Sequence, residues 1–280
     1  MERGQDPASD KEPTGKFVQA GDLRLHYHEA GTGYPLICLH GGGPGASAWS
    51  NFKQNFAELA KYYRTFLVDM PLWGKSDKPV VKVGRLGFGS KAIYDFMKAV
   101  GIEKAHFIGN SMGGQVAIKL AIDHPEVVDR LVIIGSTPVP VSVFQPTPVE
   151  AVKMIFKYYQ GSGPSLERMR ELTQTLVYDQ SLVSEETIRE RYEASIEPDA
   201  VKTNVESDWI LEDLSGDLHR VQSRALIIWG LEDRAGALDI GLLMTKKFQN
   251  AQMHIYSKVG HWAQLERADE FNRLVLDFFS

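Results

Sequence analysis

The segment Ile108-Gly109-Asn110-Ser111-Met112-Gly113-Gly114 lies where an apolar run, Ala105 to Ile108, gives way to a helical pattern, Gln115 to Ile122. A serine with glycines two positions before and two positions after it is typical of a strained strand-to-helix turn, because Cβ atoms at those glycines would clash there. Such a turn exposes the Ser111 hydroxyl at the top of a sheet. The segment therefore predicts a sheet-based fold that carries a nucleophilic serine.

Two further residues follow Ser111 in an order that fits nucleophilic catalysis. Asp233 comes after the apolar run Ala225 to Trp229, and His261 comes after the run Met253 to Tyr256. A serine hydroxyl needs a base to take its proton, and the base needs a carboxylate to orient it. We predict Ser111, His261 and Asp233 as a triad, and their chain order is the one expected of an α/β-hydrolase.

Three other acids compete with Asp233 for the orienting role. Glu232 is a close rival, whereas Asp213 and Asp239 are weaker candidates. Asp233 is favoured because Gly230-Leu231-Glu232-Asp233-Arg234 fits a Gly-x-x-Asp-Arg pattern.

A glycine-rich loop, His40-Gly41-Gly42-Gly43-Pro44-Gly45, follows the apolar run Leu36 to Leu39. Loops of this kind place backbone N–H groups beside a developing alkoxide. The predicted oxyanion donors are the N–H of Met112 and that of either Gly42 or Gly43. A phosphate cradle is the weaker interpretation, because no Gly-Lys-Ser/Thr follows and no dinucleotide fingerprint is present. His40 itself is interpreted as structural.

Strand-like and helical patterns alternate along most of the chain. Continuous Val/Ile/Leu runs indicate strands that are buried on both faces, as in a parallel sheet, and a hairpin precedes them. The predicted fold class is therefore α/β, a mostly parallel eight-stranded sheet flanked by helices. The alternation stops between about Thr137 and Gly216, where helix-like segments predict an inserted lid over the serine. The predicted divisions are a disordered tail 1–16, a core 17–136, the lid 137–216, and the rest of the core 217–280.

Composition excludes several classes of protein. The chain has 280 residues, a net charge of −5 and no clustered basic stripe, which argues against a nucleic-acid partner. The polar N-terminus has no apolar stretch that would serve as a signal or membrane anchor, so we expect a cytoplasmic location. Cys38 is the only cysteine and is predicted to be a buried structural thiol. The histidines show no metal-ligand spacing, so no metal is expected.

Four segments together resemble one family of enzymes. They are His40 to Ser47, Trp49-Ser50-Asn51-Phe52, Gly109 to Gly114, and Gly260-His261-Trp262-Ala263-Gln264. The chain is similar in these segments to the meta-cleavage-product hydrolases of the α/β-hydrolase superfamily, which cleave a carbon–carbon bond in 2-hydroxy-6-oxohexa-2,4-dienoates during aromatic-ring degradation. The most specific marks are the Gly-Gly-Gly-Pro-Gly-Ala loop, the asparagine before the serine, and the tryptophan after the histidine.

The resemblance implies a substrate site beside the triad. A lid arginine holds the dienoate carboxylate in that family, and Arg191 matches its place, with Arg189 as the rival. A guanidinium pairs with a carboxylate through two parallel hydrogen bonds, which suits an anchor at a fixed distance from the serine. Asn51, Asn110 and Trp262 match the family's contacts to the polar end of the substrate.

The resemblance also implies the course of the reaction. The dienol becomes a keto tautomer, Ser111 attacks the C6 ketone, and cleavage releases 2-hydroxypenta-2,4-dienoate with His261 as proton shuttle. No cofactor is expected, the partner is a small-molecule dienoate, and the assembly is expected to be a dimer or larger. The alternative function is a carboxylesterase or lactonase with the same triad.

Two segments depart from the family pattern. Ala235-Gly236-Ala237 stands where bulkier apolar residues and a proline are usual, which predicts either a wider pocket or a looser loop around the acid. We infer a roomy apolar subsite that accepts an aryl group. Leu72-Trp73-Gly74 replaces a segment that normally reads Gly-aromatic-Gly. The lid aromatics Phe144, Phe156, Tyr158 and Tyr159 either line that pocket or belong to ordinary packing.

Overall fold

A computed structural model describes residues 12–280 of the chain. Most of the predicted tail 1–16 lies outside the described residues. Its last part has no regular secondary structure over residues 12–15, and the first strand already includes Lys16. Lys16, the last residue of the predicted tail, is thus the first residue of the sheet.

Eight strands form a single mixed sheet in the order β1-β2-β4-β3-β5-β6-β7-β8. Strand β2 pairs antiparallel with β1 and β4, and all other pairs are parallel, as predicted. The strands are β1 Lys16–Ala20, β2 Leu23–Ala30, β3 Pro35–Leu39, β4 Arg64–Val68, β5 Ala105–Asn110, β6 Val128–Ile134, β7 Arg224–Gly230 and β8 Ala251–Tyr256.

Ten α-helices flank or cover this sheet in the described part of the chain. Two 3-10 turns, Gln180–Leu182 and Leu218–Arg220, add to them. The helices are α1 Ala48–Leu59, α2 Arg85–Ala99, α3 Met112–Asp123, α4 Glu150–Lys157, α5 Leu166–Thr175, α6 Glu185–Ser195, α7 Pro198–Glu206, α8 Leu238–Lys247, α9 Ala263–Glu266 and α10 Ala268–Phe279.

The sheet separates two apolar cores, because neighbouring residues of a strand point to opposite faces. Ile37 of β3 belongs to the core shared with α2, α3 and α8, whereas Cys38 belongs to the core shared with α1 and α10. This two-sided burial explains why the central strands read as continuous apolar runs rather than alternating ones. Cys38 is fully buried, as predicted.

Helices α4 to α7 stand between β6 and β7, and α4, α5 and α6 contribute to a separate apolar cluster. That cluster includes Ala151 of α4, Met169 of α5 and Ile188 of α6, and also Ala235 and Trp262 from loops of the sheet. The inserted helices are thus packed onto the loops that follow β7 and β8. This packing places them over the carboxyl ends of the strands.

Candidate active site

Ser111 occupies the sharp turn between β5 and α3. Its backbone has φ 53° and ψ −120°, and residues other than glycine rarely adopt a positive φ. A Cβ at Gly109 would lie 2.5 Å from the Cα of Gly114, and one at Gly113 would lie 2.2 Å from the carbonyl oxygen of Leu39. The glycines therefore allow the turn to pack tightly, for the reason that the sequence indicated.

Asp233 and His261 come together from the loops that follow β7 and β8. The Nδ1 atom of His261 lies 2.8 Å from Oδ2 of Asp233, and both side chains are buried. The other carboxylate oxygen accepts hydrogen bonds from the N–H groups of Ala235 (2.7 Å) and Gly236 (2.8 Å). These two bonds fix the carboxylate, which leaves its second oxygen aimed at the imidazole.

The three rival acids have other partners. Glu232 accepts a hydrogen bond from the N–H of Val259 at 3.0 Å. Asp239 accepts from the Ser142 hydroxyl and the Val143 N–H, and Asp213 accepts from the Ser215 N–H. Asp233 is thus the acid that contacts His261.

Ser111 and His261 line the same cavity of about 470 Å³. No hydrogen bond joins these two described side chains. In substrate-free enzymes the contact between nucleophile and base is often long and tightens only when substrate binds. The arrangement supplies a nucleophile, an oriented base and a space for a reacting carbon.

The glycine loop packs against the serine turn. A Cβ at Gly42 would lie 2.7 Å from Sδ of Met112, and one at Gly41 would lie 3.4 Å from Cβ of Ser111. Gly41, Gly42 and Gly43 all line the cavity. The backbone of this loop therefore lies close to Ser111, and the choice between Gly42 and Gly43 as donor stays open.

His40 holds the glycine loop in place. Its Nδ1 donates to the Gly41 carbonyl at 2.7 Å, and its Nε2 accepts from the Met70 N–H at 3.0 Å. Burial lowers the pKa of His40, which favours the neutral ring that this pattern needs. Both nitrogens are occupied, so the geometry fits the structural role predicted for this residue.

A polar corner of the cavity contains the four residues that the sequence assigned to substrate binding. Arg191 in α6 is 4% exposed, and its Nη2 donates to the Pro44 carbonyl at 2.9 Å. Its Nε has no acceptor among residues 12–280, and its guanidinium lies 5.3 Å from the ring centre of Trp262. The Oδ1 atoms of Asn51 and Asn110 are also buried, and the described part of the chain offers them no hydrogen-bond partner.

Arg191 keeps its charge in this corner although it is buried. Burial lowers the pKa of its guanidinium to about 10, which still leaves it protonated at neutral pH. Arg189 is exposed, so the orientation of α6 distinguishes the two arginines. A buried cation with an unpaired donor in the cavity of the serine suits an anionic group of a ligand.

The rest of the cavity is largely apolar. Ala235 and Ala237 line it, together with Val139, Val152, Ile155 and Ile240. Of the lid aromatics, Phe156 lines the cavity and Phe144 is exposed. Tyr158 and Tyr159 instead bond to Ser195, through its hydroxyl and its carbonyl respectively, and belong to the packing between helices.

Two residues of the site have no signal in the sequence. Arg85 lines the cavity and begins α2, and nothing in its sequence neighbours marks it as functional. Glu266 accepts hydrogen bonds from the N–H groups of Tyr178 (2.9 Å), Asp179 (3.0 Å) and Gly260 (2.7 Å). Its carboxylate therefore ties the inserted segment to the loop that carries His261.

Within the described residues, three side chains of types that bind metal ions lie close together. They are Glu12, His26 and His28. Their atoms are already paired: His26 with Asp69 at 2.8 Å, His28 with Glu12 at 3.2 Å, and Glu12 with Lys75 at 2.9 Å. None of the three lines the cavity. Within residues 12–280, moreover, no helix is long and apolar enough to cross a membrane.

Comparison with known proteins gives one family model and many relatives. The model of the alpha/beta hydrolase fold matches residues 34–268. The chain is 40% identical over 279 residues to a 2-hydroxy-6-oxo-6-phenylhexa-2,4-dienoate hydrolase of Comamonas testosteroni, covering 95% of this chain and 96% of that protein. It is 37% identical over the same length, with the same coverage, to a 2-hydroxy-6-oxononadienedioate/2-hydroxy-6-oxononatrienedioate hydrolase of that species.

A solved structure gives a similar result. The 2-hydroxy-6-oxo-6-phenylhexa-2,4-dienoate hydrolase from Rhodococcus sp. strain RHA1 superposes with a TM-score of 0.87 at 30% identity. The match covers 96% of this chain and 99% of that one. Sequence and fold thus point to the same group of proteins.

Proposed function

Because the chain belongs to the α/β hydrolase family and, within it, to the meta-cleavage product hydrolases, we propose that Ser111, His261 and Asp233 catalyse its carbon–carbon bond hydrolysis. The substrates are 2-hydroxy-6-oxohexa-2,4-dienoates with an aryl or alkyl group at C6. The products are 2-hydroxypenta-2,4-dienoate and a carboxylic acid. The single observation that carries this assignment is the buried, incompletely paired Arg191 in the cavity that Ser111 and His261 line.

The polar corner orients the dienoate. Arg191 pairs with the C1 carboxylate through the guanidinium edge that includes its free Nε. The unpaired oxygen of Asn51 or that of Asn110 accepts the single hydrogen of the 2-hydroxy group, and Trp262 covers the conjugated chain. This binding fixes C6 at the serine hydroxyl.

Cleavage needs a place for the electron pair of the broken bond. Protonation at C5 turns the dienol into a keto acid, and that conjugated group accepts the pair when the C5–C6 bond breaks. Ser111 adds to C6 while His261 takes its proton, and N–H groups of Met112 and of Gly42 or Gly43 stabilise the oxyanion. Water then hydrolyses the acyl-serine, which adds one water molecule to the substrate overall.

The replacement Arg191→Ala separates this function from that of an ester or lactone hydrolase. Loss of a charge-assisted anchor should lower kcat/KM for a dienoate by about 100-fold, since such bonds contribute ~1.5–3 kcal/mol. Hydrolysis of a neutral nitrophenyl ester should change by less than about threefold. Arg189→Ala, an exposed arginine two residues away, is the matched control. Equal loss on both substrates would contradict a carboxylate anchor.

The small residues at 235 and 237 give the C6 group its room. Ala235 is buried and lines the cavity, so Ala235→Phe fills space that a 6-phenyl group needs and a 6-methyl group does not. The ratio of kcat/KM for the phenyl substrate to that for the methyl substrate should fall by about tenfold or more. An unchanged ratio would place the C6 group elsewhere.

We also propose that residues 137–216 form a lid, inserted between the core segments 17–136 and 217–280. The helices α4 to α7 and the cavity they help to line support this division. A cytoplasmic location and a homo-oligomer, dimeric or larger, complete the proposal. Light scattering of the purified chain tests the assembly.

A further inference from the structure

Arg85 is a second buried cation in the cavity. It is the first residue of α2, is 6% exposed, and lines the same cavity as Ser111. Its Nε and Nη2 atoms are buried and have no hydrogen-bond partner in the described chain. Burial lowers the pKa of Arg85 to about 10, so the group stays charged at neutral pH.

The contacts of Arg85 occupy its face and leave its edge free. The ring of Trp209 stacks on the guanidinium, with its centre 3.5 Å from Cζ. Nε and Nη2 form one edge of the guanidinium plane, and this edge is the fork that pairs with a carboxylate. The stacking therefore holds the plane still while its two donors remain available.

The acid nearest in the fold does not neutralise Arg85. Glu212 also lines the cavity, but it caps the start of α2 by accepting from the N–H groups of Leu86 and of Gly87 (3.0 Å). No described carboxylate forms an ion pair with Arg85. A buried arginine is rarely left without an anionic partner.

Arg85 and Arg191 are held by opposite faces of the sheet. Arg191 bonds to Pro44, which precedes α1 on one face. Arg85 begins α2, which packs with α3 on the other face. Both cations line the cavity of Ser111, which stands at the end of β5 between the two faces.

We propose that Arg85 binds a carboxylate at the far end of the C6 substituent, so that the preferred substrates are dienedioates rather than dienoates with a hydrocarbon tail. This inference rests on the proposed function, because it takes Arg191 as the anchor for C1. An apolar tail would leave both buried donors of Arg85 without an acceptor. A terminal carboxylate on a short alkyl chain satisfies them once Ser111 has reached C6.

The test compares two substrates that differ only in this carboxylate. They are 2-hydroxy-6-oxonona-2,4-dienedioate and 2-hydroxy-6-oxonona-2,4-dienoate, with kcat/KM measured for the wild type, Arg85→Met and Arg85→Lys. Arg85→Met keeps the length of the side chain and removes the charge, whereas Arg85→Lys keeps the charge without the fork. Arg189→Met, which removes one exposed cation, is the matched control.

We expect the wild type to favour the dienedioate and Arg85→Met to lose about 10- to 100-fold on it, with less than a threefold change on the monoacid. Arg85→Lys should fall between the two, and Arg189→Met should match the wild type. Equal losses on both substrates, or a wild type that favours the monoacid, would overturn the proposal.

Calorimetric binding of product acids tests the proposal without depending on turnover. Calorimetry of the wild type should detect succinate, the acid released from the dienedioate, at a lower Kd than butyrate. This preference should be smaller in Arg85→Lys and should vanish in Arg85→Met. Equal Kd values for succinate and butyrate in the wild type would overturn the proposal even if Arg85→Met does not fold. If neither dienoate is consumed, the proposed function fails, while the succinate preference still decides whether Arg85 is an anion site.

Discussion

The replacement Asp233→Asn tests how the carboxylate controls the tautomer of His261. In the wild type one oxygen accepts two backbone N–H groups, from Ala235 and Gly236, and the other faces Nδ1 of the histidine. An asparagine has one acceptor and one donor end. Turning its amide nitrogen toward the two N–H groups leaves both of them unpaired, at a cost of about 1–3 kcal/mol each.

The asparagine oxygen should therefore stay on the two N–H groups, and the amide N–H₂ should face Nδ1. Nδ1 must then accept, which places the ring proton on Nε2, the atom that has to take the serine proton. The expected loss in kcat is about 10,000-fold, or ~5 kcal/mol in the activation free energy. The fold should be little affected, because the two backbone bonds remain.

The assay is dienoate turnover at saturating substrate, with thermal unfolding measured on the same preparation. Asp239→Asn is the matched control, since Asp239 bonds to Ser142 and Val143 and not to the histidine. It should retain activity within about threefold. A loss of less than tenfold in Asp233→Asn would refute the tautomer argument.

Two further predictions concern the packing of the site. Gly113→Ala should lower the free energy of unfolding by about 3 kcal/mol, because the new Cβ would meet the backbone oxygen of Leu39 at 2.2 Å. Gly87→Ala is the control, because its new Cβ would lie 3.4 Å from Glu212, an ordinary contact distance. This replacement should leave the free energy of unfolding unchanged or raise it. Similar melting temperatures for Gly113→Ala and Gly87→Ala would contradict the predicted clash. Burial raises the pKa of Glu266, so its folded form holds the proton more tightly and stability falls as pH rises from the ordinary glutamate range through the raised pKa. Glu266→Gln should lack this fall in urea unfolding across the same pH range, and parallel curves for the two proteins would contradict the assignment.

Much of the sheet was predictable because its strands are buried on both faces. Continuous apolar runs indicate β3 to β8. In β6 the apolar run Leu131 to Ile134 covers only the last part of the strand, which begins at Val128, because Asp129 and Arg130 are polar and only half-buried. Helix α7 has only two buried residues, Ala200 and Thr203, so its sequence carries no clear apolar stripe.

The site was predictable where the residue type and the end of a strand coincide. Ser111, Asp233 and His261 each follow an apolar strand, and the glycines around Ser111 have a steric reason. The distinction between Arg191 and Arg189 depends on how α6 is rotated against Pro44, which local spacing does not specify.

Arg85 was not found because its environment is assembled from distant parts of the chain. Trp209 and Glu212 come from the segment after α7, more than a hundred residues along the chain from α2. Glu266 likewise accepts hydrogen bonds from Tyr178 and Asp179, which are far from it in the chain. Contacts of this range leave no periodic trace in the sequence.

The most direct test of serine-dependent carbon–carbon hydrolysis follows the dienolate absorbance of 2-hydroxy-6-oxo-6-phenylhexa-2,4-dienoate when it is mixed with the wild-type protein or with Ser111→Ala. We expect the wild type to remove the absorbance and release equal amounts of benzoate and 2-hydroxypenta-2,4-dienoate, whereas Ser111→Ala should release neither. Benzoate release that persists in Ser111→Ala would contradict the serine mechanism. Absence of decay with this substrate, with the 6-methyl analogue and with the dienedioate, alongside rapid cleavage of a nitrophenyl ester, would contradict carbon–carbon hydrolysis itself.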